Sequence, residues 1–246
     1  MAAPSVVLVY RSLEGPGPGS LDRVARALQT QVDRDLAPVW GVKARVSVAD
    51  EERWPSADWP IYVVDEPRAG LGVHVDRHGR PYAEVLTGPD WSVRASHELL
   101  EMLADPDGQR FMLGRCVGSR ARRRQVGYLV EICDPCQVFH YAIDGIGVSN
   151  FVTPDYYRAA APAGTALDFM RELRRPLEVP RGCYLSWQDP SDGHWHQKGP
   201  DGVVSRSRRP IDPHRNPRED RDRACAAGDE RHDLVASGSA ARPRRA

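Results

Sequence analysis

His97, Glu98 and Glu101 are the residues of this chain whose types and spacing could do chemistry together. They sit in Ser96-His97-Glu98-Leu99-Leu100-Glu101-Met102-Leu103-Ala104-Asp105-Pro106, which reads as one helix. His97 and Glu101 are four apart, so their side chains emerge from the same face, one turn apart. Two ligands at that spacing can grip one metal ion. Glu98, beside His97, points about 100° away and can act as general base towards a water on that ion.

This is the layout of the H-E-x-x-H zinc helix with Glu101 in place of the second histidine. A carboxylate is an accepted zinc ligand, and catalytic zinc sites commonly mix His with Glu. The four residues Leu99, Leu100, Met102 and Leu103 make the helix largely buried. Acids carried into a core must be compensated, because unpaired buried charge is costly. A metal ion would compensate them. The bland alternative is a helix whose acids face water and whose histidine is an ordinary core residue.

A catalytic zinc usually has three protein ligands and an open position. Asp105 lies about 12 Å from His97 along a straight helix. That is too far to share the ion, so it reads as a carboxylate that ends the helix or supports a ligand. Glu131 lies in an apolar run, Gly127 to Cys133, that reads as a strand able to lie beside the helix, and Asp134 stands at the end of that strand, before Pro135. Glu131 ranks first as third ligand and Asp134 second. Cys133 and Cys136 form a C-x-x-C without a second pair to complete four thiolates. They read as two semi-buried thiols near a turn. His194 and His196 flank Trp195 on one side of a strand, as ordinary strand histidines more than as a second metal site. His140 and Tyr141 are candidates to stabilise an oxyanion.

The remaining elements must position these groups. Val6 to Tyr10 is a β-rich run. Ser20 caps an amphipathic helix from Leu21 to about Leu36, with Leu21, Val24, Ala25, Leu28 and Val32 on one stripe and Pro38 ending it. Val42 to Val48 and Ile61 to Val64 read as strands. Val73 to Val75 and Tyr82 to Leu86 flank a hairpin turn, and the helix with the motif begins near Trp91. Tyr184 to Trp187 and His194 to Gln197 make a terminal hairpin. From about Gly199 large apolar residues nearly vanish. The expected organisation is therefore a domain over residues 1–198 and a disordered Arg/Asp/Pro-rich tail over 199–246.

The order of elements is α+β: a mixed sheet, an N-terminal helix and a buried metal-site helix. The 34 basic and 34 acidic residues balance, which argues against a nucleic-acid or acidic-membrane binder. No apolar run is long enough to span a bilayer. No secretory signal is read at the start, and five cysteines, an odd count, suit a reducing compartment. The expected location is cytoplasmic.

These segments resemble known families. A strand, a helix, a mixed sheet and then a helix bearing H-E-x-x-[HE] is similar to the N-terminal half of zincin-type metallopeptidases. More closely, the Ser96–Pro106 helix, with Glu131-Ile132-Cys133-Asp134 and Val148-Ser149-Asn150-Phe151 downstream, resembles a group of uncharacterised bacterial and phage proteins. They share an S-H-E-x-x-E-x-x-x-D-P helix and an E-I-x-D-x-C segment. Plant exordium-like proteins are distantly similar in the same two motifs. The resemblance implies a zincin-like fold over roughly residues 5–198. It further implies a zinc-dependent peptidase acting on a peptide or protein substrate, with Zn²⁺ held by His97, Glu101 and Glu131 or Asp134, and Glu98 as base. A carboxylate-rich site could also favour a harder ion such as Mn²⁺. The rival expectation is a non-catalytic zincin-shaped metal-binding or interaction module.

Overall fold

The first strand, β1 (Ser5–Tyr10), is a run of apolar, mostly β-branched residues. Val6, Val7, Leu8 and Val9 are at most 2% exposed, as expected for a strand inside a parallel sheet. In the computed structural model, which describes residues 3–12, 18–48, 58–67, 72–76, 80–116, 124–199 and 201–209, β1 lies between two parallel neighbours. These are β2 (Arg45–Val48) and β3 (Trp59–Val64). Beyond β3 come β5 (Pro81–Leu86), also parallel, and β4 (Gly72–Asp76), antiparallel at the edge. The order is β2-β1-β3-β5-β4. In this register Leu8, Ile61 and Ala83 share one row. Together with Val6, Val63 and Val85 they form the buried face.

The N-terminal helix α1 (Pro18–Thr30) buries Val24, Ala25 and Leu28, as its stripe requires. It does not stop before Pro38. A π turn, Gln31–Leu36, leads into a short α2 (Ala37–Trp40), and Gly41 closes it at φ 69°. Proline in a helix interior removes one N–H and collides with the carbonyl four residues back. The widened turn just before Pro38, where the Ala37 N–H reaches Val32 O, absorbs that conflict. It also brings Gln31 and Asp35 inside.

Helix α3 (Trp91–Ala104) packs on β3, β4 and β5. It is covered on nearly every side: Trp91, Ala95, Leu99, Leu100, Met102 and Leu103 are all buried. Its position is fixed by a buried polar cross-link. The Ser96 hydroxyl donates to Gln31 Oε1 at 2.7 Å and accepts the Ser149 N–H at 2.9 Å. Gln31 Nε2 in turn donates to Ser149 O at 2.9 Å and to the Tyr141 hydroxyl at 3.1 Å.

A second, wholly antiparallel sheet contains β6 (Phe111–Arg115), β7 (Gln125–Leu129), β10 (Leu185–Asp189), β11 (His194–Lys198) and β12 (Val204–Ser207). Its order is β12-β11-β10-β7-β6. The hairpin β8 (His140–Ile143) and β9 (Ile146–Ser149) stands apart from both sheets. It turns on Asp144 and Gly145, both at positive φ. The fold is α+β, and all described residues fall in one unit, Met1–Ile211. Among the described residues no helix is long and apolar enough to cross a membrane.

Two expectations change. The run Gly127 to Cys133 is a strand only as far as Leu129. Residues 130–133 then run irregularly into a 3₁₀ turn, Asp134–Cys136. The reason is that the Cys133 and Asp134 N–H groups go to the Glu101 carboxylate and not to a neighbouring strand. Residues 201–209 do not fit the disordered tail expected from residue 199, because β12 pairs with β11 from Lys198↔Val204 to Trp195↔Ser207. Val203 and Val204 are exposed. This strand is held by its backbone ladder, which apolar patterning cannot signal. Positions 210–246 lie outside the described residues.

Asp105 ends α3, as its place in the sequence suggests. Its Oδ1 accepts the Gln109 and Arg110 N–H groups, each at 2.9 Å, while Oδ2 is buried without a hydrogen bond. Burial pushes this carboxyl up to about 6, against the lowering effect of those two N–H groups. An unfolded Asp titrates near ~3.9. A folded-state value above the unfolded one favours folding at low pH, and that contribution is lost as pH rises through the folded value. Asp105→Asn keeps an oxygen for both N–H groups and carries no charge. Its melting temperature relative to wild type should therefore climb between pH 4 and pH 7. A flat difference across that window would exclude an ionisation cost at this residue.

Candidate metal centre

Helix α3 delivers three functional side chains to the edge of the first sheet. Glu101 is divided between two jobs. Its Oε1 accepts the backbone N–H of Cys133 at 3.0 Å and of Asp134 at 3.3 Å. Its Oε2 lies 3.2 Å from His97 Nε2. The carboxylate is thus anchored at one oxygen and presents the other next to the imidazole.

Asp134 completes the group. Its Oδ1 lies 3.2 Å from the same His97 Nε2, so two carboxylates share that one nitrogen. Tyr184 is hydrogen-bonded to the Asp134 carboxylate. One ligand atom each from His97, Glu101 and Asp134 lie within 4.8 Å of one another. Three atoms each about 2.1 Å from a tetrahedral zinc are about 3.4 Å apart, so the spacing fits a common ion. Of the two candidates for third ligand, it is the second-ranked Asp134 that joins His97 and Glu101. Glu131 belongs elsewhere: its Oε2, buried and without a hydrogen bond, is 3.9 Å from His74 Nε2.

His74 is the site residue that the sequence reading missed. It sits on β4, and its Nδ1 is 3.5 Å from Glu98 Oε2 and 3.8 Å from Glu101 Oε2. Its side chain is only 7% exposed. The pattern Val73-His74-Val75 signals a strand, but nothing local says which way its histidine faces. The signal lies one step earlier, at Gly72. A Cβ there would stand 2.5 Å from Glu98 Oε1, so the strand approaches α3 closely enough to press on Glu98.

The electrostatics follow from burial and crowding. Burial pulls the His74 imidazole down, but Glu131, Glu98 and Glu101 push it further up, to about 10. Burial likewise opposes protonation of His97, and Glu101, Asp134 and Glu98 override it, holding it well above the usual imidazole range. Glu101 is held below the usual carboxylate range: burial raises it, but His97 and His74 lower it more. Asp134 and Glu131 are pushed up, chiefly by burial and by neighbouring carboxylates. Two imidazoles held towards the charged form and two carboxyls pushed towards the neutral form limit the net charge of this buried cluster.

Other sequence candidates fall outside this group. Asp189, Asp192 and His196 approach one another, but cations already occupy that place. Arg124 Nε lies 2.6 Å from Asp189 Oδ2, and Arg206 Nη2 lies 3.3 Å from Asp192 Oδ2. His194 donates its backbone N–H to Asp192. Cys133 and Cys136 are free, buried thiols. Tyr141 is committed to Asp35 Oδ2 at 2.7 Å and to Gln31, and His140 is exposed on β8. No protein-family model matches the chain, and comparison with curated proteins and with solved structures finds no match.

The contact between Gly72 and Glu98 generates a test. Gly72→Ala should destabilise the protein by about 1–3 kcal/mol through overpacking. Gly72→Ala combined with Glu98→Ala should cost less than the two single changes added, with a coupling of about 0.5–3 kcal/mol. Simple additivity in chemical denaturation would show that the two residues do not press on each other.

Proposed function

We propose that this protein is a metal-dependent hydrolase of peptide bonds, with a divalent cation, zinc in the first instance, at His97, Glu101 and Asp134. The observation that carries this reading is the divided Glu101 carboxylate. One oxygen is pinned by two backbone N–H groups, and the other is held 3.2 Å from His97 Nε2. A ligand oriented in advance by its other oxygen is what a metal centre requires of its supporting contacts. The buried Asp134 Oδ1 supports the same reading, because it must share the single His97 Nε2 with Glu101 Oε2 and a cation would satisfy both carboxylates.

When bound, the cation would supply Lewis acidity, polarising the scissile carbonyl and acidifying the attacking water. The chain's own residues do the rest. Glu98, adjacent to His97 on α3, accepts the proton from water and passes it to the leaving amine. His74 holds the Glu98 carboxylate from the β4 side, 3.5 Å away. Cys133 and Asp134, through their N–H groups, keep Glu101 from rotating off the site.

The second reading is a metal-binding module without catalysis. It is favoured by the small opening at the base: the Glu98 side chain is only 7% exposed, which limits approach by a substrate.

Two variants separate the readings. Loaded with one equivalent of zinc, wild type and Glu98→Gln should hold the ion alike, and His97→Ala or Glu101→Ala should release it. Against a panel of unfolded proteins and peptides, Glu98→Gln should lose about 10²–10⁴-fold in rate. Wild type that binds zinc but cleaves nothing beyond the Glu98→Gln background favours the non-catalytic module. Wild type that binds no zinc removes both.

A further inference from the structure

We propose that the same buried cluster takes two divalent cations: one at His97, Glu101 and Asp134, the other at His74, Glu98 and Glu101, with Glu101 shared between them. The inference rests on the first centre as read above and extends it across to β4.

The geometry comes first. His74 Nδ1 is 3.5 Å from Glu98 Oε2 and 3.8 Å from Glu101 Oε2. One ligand atom each from these three residues lie within 4.8 Å of one another. That spacing is close to the roughly 3.4 Å expected between ligand atoms on one small ion. Both groups use the unpinned side of Glu101: its Oε2 is 3.2 Å from His97 and 3.8 Å from His74. A carboxylate oxygen with imidazoles on two sides is placed to bridge.

The second observation is a buried oxygen, Glu131 Oε2, that has no hydrogen bond. Asp134 Oδ1, also buried, has only a shared claim on His97 Nε2. Asp134, only 4% exposed, faces His97, and Glu131 Oε2 lies 3.9 Å from His74 Nε2. One cation at the first centre answers Asp134 and leaves Glu131 as it was. A cation on His74 Nδ1 leaves Nε2 to face Glu131, the arrangement in which a carboxylate steadies a ligating histidine.

Charge balance agrees. The cluster holds four carboxylates, Glu98, Glu101, Glu131 and Asp134. Among the described residues the partners within ion-pair distance of them are His74 and His97, with no arginine or lysine. Two divalent cations match four negative charges with both imidazoles neutral, the state in which imidazole ligates.

The test is zinc stoichiometry on the full-length, metal-stripped protein, by equilibrium dialysis against Zn²⁺ followed by elemental analysis. Wild type should take two equivalents. His74→Gln should take one, and so should Glu98→Gln, which guards against a folding defect in either variant; circular dichroism checks both. Wild type that takes only one equivalent, unchanged in both variants, overturns the second place and leaves the first centre intact. Wild type that takes none overturns the first centre as well. Two equivalents retained in both variants would place the second ion elsewhere and overturn the proposal.

Discussion

The buried carboxylates of α3 and the segment after β7 are the constraint to which the rest of the structure answers. A charged group removed from water costs several kcal/mol unless it is paired and hydrogen-bonded. Here Glu98, Glu101 and Asp134 are at most 6% exposed, and α3 cannot turn its two glutamates outward without withdrawing Leu99, Leu100, Met102 and Leu103 from the core. Apolar packing thus forces the acids inside. The chain meets the cost in parts: backbone N–H groups on Glu101, two imidazoles, and the Tyr184 phenol on Asp134.

Holding such a site takes a rigid frame, and the frame is polar as well as apolar. Ser96, next to His97, is locked to Gln31 and to the Ser149 N–H. Gln31 reaches inward because a π turn begins there, and that turn accommodates Pro38. A side chain 65 residues back along the chain therefore sets the rotation of α3 about its axis. A change of that rotation by one residue's spacing, about 100°, would carry His97 and Glu101 together off the face that meets Asp134 and His74. Buried networks of this kind are costly when half satisfied and specifying when complete.

Much of the fold was legible. Apolar runs marked β1 and β3, glycine-containing turn segments between β-rich runs marked the pairing of β4 with β5 and of β10 with β11, and the buried character of α3 followed from its leucines. His97, Glu98 and Glu101 were legible because helical spacing alone brings them together. Asp134 over Glu131 was not, because the choice depends on where β7 ends. That end is set by N–H groups drawn to Glu101 from 32 and 33 residues along the chain. His74 was illegible for a similar reason: its neighbours in space, Glu98, Glu101 and Glu131, are all brought by other elements. Strand β12 was missed because its side chains are mostly exposed and its pairing is a backbone affair.

Glu98 is the residue on which the proposed chemistry turns. On one side it adjoins His97, where a base is needed. On the other it meets His74, where a ligand is needed. One carboxylate cannot do both at once: bound to a cation it is a poor proton acceptor, since its lone pairs are engaged. In the two-cation reading, the form with only the first place filled is the one in which Glu98 can move a proton, and filling the second place withdraws it. Gly72, by letting β4 come within contact of Glu98, makes that choice available. The antiparallel edge strand would then serve as more than the border of a sheet, because the histidine it carries decides whether the base on α3 is free.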